Sequence, residues 1–115
     1  MAKRKPGKLL LKFPLYGFDW EVRTAPAKHK ILDGAVGHCF LNDHVMYVSE
    51  DNTDEQARTT VAHEIQHIIE EHADVDYTKQ TDEATGDRMT DIVSRGWLML
   101  IRTCPDLLAW LRGEK

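Results

Sequence analysis

Two histidines four residues apart, His63 and His67, lie inside the longest helical pattern of this 115-residue chain. The apolar residues around them recur at helical spacing and form one stripe, which comprises Val61, Ile65, Ile68 and Ile69. At about 100° per residue, both histidines point away from that stripe and lie one helical turn apart. The pattern predicts a helix from about residue 54 to about residue 72, with one face on a core and both imidazoles on another.

Glu64 follows the first histidine and completes the spacing His-Glu-x-x-His. Neutral imidazoles at positions i and i+4 of a helix can share one metal ion, and zinc is typical of this spacing. In such sites zinc lowers the pKa of its bound water to about 7, and the glutamate accepts the proton as water attacks a carbonyl. We therefore predict a Zn²⁺ site with His63 and His67 as ligands and Glu64 as the general base.

A catalytic zinc site of this kind needs a third protein ligand. The longer motif with a third histidine is excluded, because positions 70 and 73 hold Glu70 and Ala73 instead of Gly and His. His72 follows His67 by five residues, which is the wrong angular step for the same helix face. The remaining candidates are carboxylates near the start of a second predicted helix, namely Asp82, Glu83, Asp87 and Asp91. Spacing alone leaves all four open.

The first half of the chain is predicted to form short strands. Residues 18–23 alternate apolar and charged side chains, as a half-buried strand does. Residues 38–41 and 45–49 flank the turn sequence at 42–44, which predicts a hairpin. The strand at 45–49 is expected to hold an extended peptide beside the metal by β-addition.

The second half is predicted to be helical. Thr81 is expected to cap a second helix that reaches about Arg102, after a polar loop at residues 74–80. Pro105 ends that helix, and a short third helix is expected from there to Leu111. Strands followed by helices indicate an α+β domain.

Length and composition favour a single globular domain. With 42% hydrophobic and 30% charged residues, we assign residues 9–115 to one domain and residues 1–8 to a flexible basic tail. The net charge of −4 gives no general attraction to nucleic acid, and no apolar run approaches the ~20 residues of a membrane span. Cys39 and Cys104 lack a CxxC spacing, so we expect two reduced, packed thiols in a cytoplasmic protein.

Four stretches carry a family resemblance, and they read VMYVS at 45–49, DEQARTTVA at 54–62, EATGDRM at 83–89 and IRTCPDLL at 101–108. In that order, they look like four parts of one family's sequences: the strand before the active helix, the segment that leads into the His-Glu motif, a second motif, and the ending of the short phage forms. On these stretches the chain, from about Gly37 to Arg102, resembles the ImmA/IrrE-like small zinc metallopeptidases. It departs from their pattern at Gln66, where many relatives have a small residue.

The resemblance implies a zincin-like fold, in which a small N-terminal β-sheet precedes an active-site helix and a second packed helix. In the family's second motif a glutamate precedes a small residue by three, and an amide or acid follows. That match makes Glu83 the third zinc ligand, Gly86 the small residue and Asp87 the acid. It also implies peptidase activity on a protein substrate, such as a regulator of a phage or mobile element in the host cytoplasm.

Two functions remain open at this stage. The first is zinc-dependent hydrolysis of a peptide bond in a protein or peptide substrate. The second is a non-catalytic zinc-binding protein with a regulatory or host-interaction role in a mobile element. The motif does not identify an oxyanion-stabilising group, and the side chains considered for that role are Tyr47, His72 and Tyr77.

Overall fold

A computed structural model describes residues 7–73 and 82–114 of the chain. The elements follow the order four strands and then three helices: β1 (Leu9–Leu15), β2 (Phe18–Ala25), β3 (Gly37–Phe40), β4 (Val45–Ser49), α1 (Asp54–His72), α2 (Glu83–Thr103) and α3 (Pro105–Leu111). The predicted α+β class is therefore confirmed. The predicted loop at 74–80 and residues 1–6 of the predicted tail lie outside the described residues.

The four strands form one sheet in the order β1-β2-β4-β3. β1 and β2 form an antiparallel hairpin, whose turn places Tyr16 and Gly17 at φ of 51° and 83°. Two successive positive φ values suit the right-handed twist of a two-residue hairpin turn, and glycine adopts them without strain. At the start of this hairpin, the backbone N–H of Lys8 donates to Thr24 Oγ1 at 2.9 Å, so Lys8 already belongs with the sheet.

The predicted hairpin between β3 and β4 is confirmed, with Phe40 paired to Val45 and Gly37 paired to Val48. β4 also pairs with β2 in parallel, so both of its edges are hydrogen-bonded within the sheet. The expectation that β4 holds an extended peptide is therefore wrong, because no edge of β4 is open. The edge strand on this side of the sheet is β3.

Helix α1 begins with a complete capping box. The Gln56 backbone N–H donates to Thr53 Oγ1 at 3.2 Å, and the Thr53 N–H donates to Gln56 Oε1 at 2.8 Å. These two bonds satisfy donors that a helix start leaves without partners. The predicted stripe is confirmed, since all four of its residues are buried in the main core: Val61, Ile65, Ile68 and Ile69. Met46 and Val48 of β4 belong to the same core, which places α1 on that face of the sheet.

Helix α2 begins one residue later than predicted. Its N-cap is Asp82, whose carboxylate accepts from the Thr85 backbone N–H at 2.7 Å, so the prediction of Thr81 as cap is wrong by one residue. A carboxylate at this position also interacts favourably with the helix dipole. The short helix α3 has the predicted bounds. Within the described ranges, none of the helices is long and apolar enough to cross a bilayer.

Candidate metal centre

The two predicted histidine ligands meet on the solvent-facing side of α1. The Nε2 atoms of His63 and His67 lie 2.9 Å apart, and their ring planes are nearly perpendicular at 88°. Two nitrogens bound to one tetrahedral zinc at 2.0–2.1 Å would lie about 3.3 Å apart. At 2.9 Å the two nitrogens are within hydrogen-bond distance, with one of them as the N–H donor. Binding of both nitrogens to one zinc ion would replace that proton and widen their separation by a few tenths of an ångström. The donor set fits Zn²⁺ at two of its coordination positions.

Glu64 lies half-buried on the flank of α1 that faces the edge strand β3. The thiol of Cys39, on β3, has its pKa raised to about 12, first by burial and second by the negative charge of Glu64. Glu64 is therefore near enough to Cys39 for its charge to act on the thiol. The predicted general base lies on the side of α1 toward β3, which is an edge strand of the sheet formed by the described residues.

Glu70 is a neighbour of the site that sequence reasoning missed. Its Oε1 lies 3.3 Å from Nδ1 of His67, and only 20% of its side chain is exposed. A ligand histidine usually donates its second ring N–H to a carboxylate, which fixes the ring and increases its basicity. The signal in the sequence is the spacing of three residues between His67 and Glu70, which puts the two side chains on the same helix face.

Gln66 connects the motif to the second helix. Its Oε1 accepts from Nε1 of Trp97 on α2 at 2.6 Å. Close approach of the two helices depends on Gly96, since a Cβ there would lie 2.6 Å from Cγ2 of Ile69. The departure from the family pattern at Gln66 thus has a structural use, because it anchors α1 between its two histidines.

The structure does not bring a third ligand to the histidine pair. Within residues 7–73 and 82–114, no three His, Cys, Asp or Glu side chains are grouped so that they could hold one metal ion. Glu83 is the exposed first residue of α2, and Asp82 is used as its cap. Asp91 forms an ion pair with Arg95 at 3.0 Å, and Asp87 is exposed. Glu83 as third ligand therefore stays a prediction.

The side chains considered for oxyanion stabilisation lie elsewhere. Tyr47 is buried in a separate cluster with Val45, while Met46 and Val48 of the same strand belong to the core under α1. Because side chains alternate across a strand, Tyr47 faces away from the histidines. His72 is stacked on Tyr16, with ring centroids 3.6 Å apart. Tyr77 lies outside the described residues.

Comparison with protein-family models, with curated proteins and with solved structures found no match for this chain. The resemblance to the ImmA/IrrE-like metallopeptidases therefore remains a prediction from the sequence.

Proposed function

We propose that this protein is a zinc-dependent metallopeptidase that cleaves a protein or peptide substrate. The observation that carries the proposal is the convergence of His63 and His67, with Nε2 atoms 2.9 Å apart, beside a glutamate on the same helix. Zinc bound at this pair would supply a Lewis acid that activates water and polarises the carbonyl of the scissile bond. Glu83 is proposed as the third ligand, on the sequence resemblance.

Each polar residue of the motif on α1 has a separate role in the proposed reaction. His63 and His67 bind the metal through Nε2, which requires both rings to be neutral. Glu70, with Oε1 3.3 Å from Nδ1 of His67, would accept the Nδ1–H of the metal-bound ring. Glu64 accepts the proton from the attacking water on its carboxylate and returns it to the leaving amine. Glu64 is half-buried, and its negative charge contributes to the raised pKa of Cys39 on β3.

We propose that the substrate backbone binds along the outer edge of β3. Gly37 contacts the side chain of Thr60, and Cys39 lies near Glu64, so β3 and α1 run alongside each other in the same direction. An extended peptide that hydrogen-bonds to this open edge would add a fifth strand to the sheet. Its backbone would then pass the carboxylate of Glu64, as cleavage requires.

A second function is favoured by a different observation. Over the part of the chain that the structure describes, the histidine pair has no third ligand beside it. A protein with this arrangement could bind zinc without turnover and act as a regulatory or host-interaction module of a mobile element. The two functions share His63 and His67 and differ in what Glu64 does.

The decisive experiment compares wild type with Glu64→Gln, co-expressed with candidate partner proteins from the same genome. Gln is nearly isosteric with Glu but cannot accept the proton, so the loss of a general base should reduce cleavage about 10²- to 10⁴-fold. Zinc content and circular dichroism should be unchanged. Glu55→Gln removes the same charge from an exposed position of α1 and should leave cleavage intact.

Mass spectrometry of the partner proteins gives the readout. Fragments that appear with wild type and Glu55→Gln, but not with Glu64→Gln, would establish the peptidase. The same fragments from all three proteins would exclude Glu64 as the base. If wild type binds about one zinc per chain but yields no specific fragment with any partner, the non-catalytic zinc-binding function is favoured.

A further inference from the structure

A small pocket opens on the protein surface beside the C-terminal half of α1. Its walls are the aromatic side chains of Tyr16, Phe18 and Trp20 together with Leu41, and Glu71 lies at its rim. Its volume is about 140 Å³. An apolar cavity of about 150 Å³ holds one benzene molecule, so this aromatic pocket has the size of a single ring or a branched aliphatic side chain.

The walls of the aromatic pocket are held in place by stacking. Phe18 stacks on His44 with ring centroids 4.0 Å apart, and Trp20 meets the same imidazole edge-on at 5.3 Å. Phe18 is nevertheless 52% exposed and Leu41 is 41% exposed. Ordered apolar side chains that remain in contact with water are an energetic cost which an apolar ligand would remove.

The aromatic pocket lies on the line of the proposed substrate strand. Cys39 of β3 lies near Glu64, and Leu41, two residues further along the chain, lines the pocket with Ile68 of α1. Leu41 is the first residue after β3, in the turn that leads to β4, and Ile68 lies one helical turn after Glu64 on α1. A peptide on the edge of β3 that passes Glu64 would therefore reach the pocket at the end of this strand.

The charge at the pocket favours a basic neighbour. Glu71 is its acidic lining residue; His44 and His72 also line it, and no lysine or arginine is among the described residues that do. A lysine or arginine next to the inserted side chain would meet this carboxylate. Because Glu71 is exposed, the attraction is screened and should change affinity only two- to fivefold or so.

We infer that the aromatic pocket binds one large apolar side chain, aromatic or branched aliphatic, of a peptide that lies extended along β3 with a basic residue next to it. The inference rests on the proposed function, since it takes that peptide to be the substrate. It defines the substrate class by an apolar residue near the scissile bond. The pocket is too small for a cofactor-sized ligand, which needs roughly 300 Å³ or more.

The test is an NMR titration of the full chain, with one equivalent of zinc, against acetyl-Ala-Ala-Phe-Lys-Ala-amide. Two matched peptides replace Phe with Gly or Lys with Glu. The Phe peptide should shift the resonances of Phe18, Leu41 and the β3 amides. The Gly peptide should bind at least about tenfold more weakly, because it leaves the pocket empty, and the Glu peptide about two- to fivefold more weakly.

Two tryptophan variants test the location. Leu41→Trp adds side-chain volume to the pocket and should lower the affinity for the Phe peptide at least about tenfold. Leu98→Trp makes the same change on α2 at a leucine of matching exposure, 42%, that does not line the pocket, and should have no effect. Circular dichroism of both variants should match wild type. If Leu41→Trp does not fold, Phe18→Ala, which removes a wall at an exposed position, serves as the second variant.

Equal affinity for the Phe and Gly peptides, shifts confined to other surfaces, or no binding at millimolar peptide would each overturn the inference. Mass spectrometry of the same samples reports cleavage separately. Cleavage without any preference for Phe would support the peptidase function and refute the proposal that the pocket binds the substrate side chain. Selective binding of the Phe peptide to the pocket and β3, with no cleavage of any peptide or partner, would retain the binding site and refute the peptidase.

Discussion

Glu70 provides the most direct test of how α1 prepares a metal ligand. Its Oε1 lies 3.3 Å from Nδ1 of His67; the Glu70 side chain is 20% exposed and the His67 side chain 57%, so solvent partly screens the contact. A hydrogen bond to a charged acceptor contributes about 1.5–3 kcal/mol, against about 0.5–1.5 kcal/mol for a neutral one. With the reduction that solvent screening brings, replacing the carboxylate by an amide in Glu70→Gln should cost about 0.5–1 kcal/mol. This corresponds to about a two- to fivefold loss of zinc affinity.

Glu70→Ala removes the acceptor altogether and should weaken zinc binding by about 10- to 100-fold, the usual effect of losing an outer-shell partner. The assay is a competition titration against a chromophoric zinc chelator at pH 7.5. Glu55→Gln is the control, since it removes one charge from an exposed site on the same helix that is 85% exposed and contacts neither histidine. Wild-type affinity in Glu70→Gln, or an equal loss in Glu55→Gln, would refute the argument that Glu70 acts through His67.

Three further predictions concern the ligand set and the edge strand. Elemental analysis should find about one zinc per chain in the wild type and none in His63→Ala or His67→Ala. An unchanged zinc content in both variants would refute the proposed site. Glu83→Ala should lower zinc affinity more than Asp82→Ala does, as measured by the same chelator titration. The reverse order would show that the assignment of Glu83 as the third ligand is wrong. Cys39 should react slowly with iodoacetamide at pH 8 in the folded protein and rapidly after unfolding, because burial raises the pKa of its thiol to about 12; rapid labelling of the folded state would contradict this.

Local sequence patterns were enough to locate α1 and its histidine pair. The bounds of α1 match the prediction, because the capping box at Thr53 and the buried stripe are both local and periodic. The hairpin of β3 and β4 was also found, since its turn sequence lies between two strand-like segments. In each case the determining residues lie within a few positions of one another along the chain.

Features that depend on distant pairing were not predictable in the same way. The parallel pairing of β2 with β4 closes an edge of β4 that the sequence left open, and it joins segments about twenty residues apart. The orientation of Tyr47, away from the histidines, follows from that placement of β4. The N-cap of α2 shifted by one residue because Asp82 and Thr81 are both suitable capping residues. Whether a carboxylate of α2 reaches the histidine pair depends on how α2 approaches α1, which no local pattern determines.

The solvent exposure of the histidine pair has a consequence for which metal the proposed site would take. Two imidazoles on an open helix face impose little geometric selection, so competition among divalent ions would follow the Irving–Williams order, in which copper binds more tightly than zinc. A sample grown in copper-rich medium would then exchange its metal readily. The ion found after purification would reflect supply, and in the cell zinc would be bound only because its competitors are scarce.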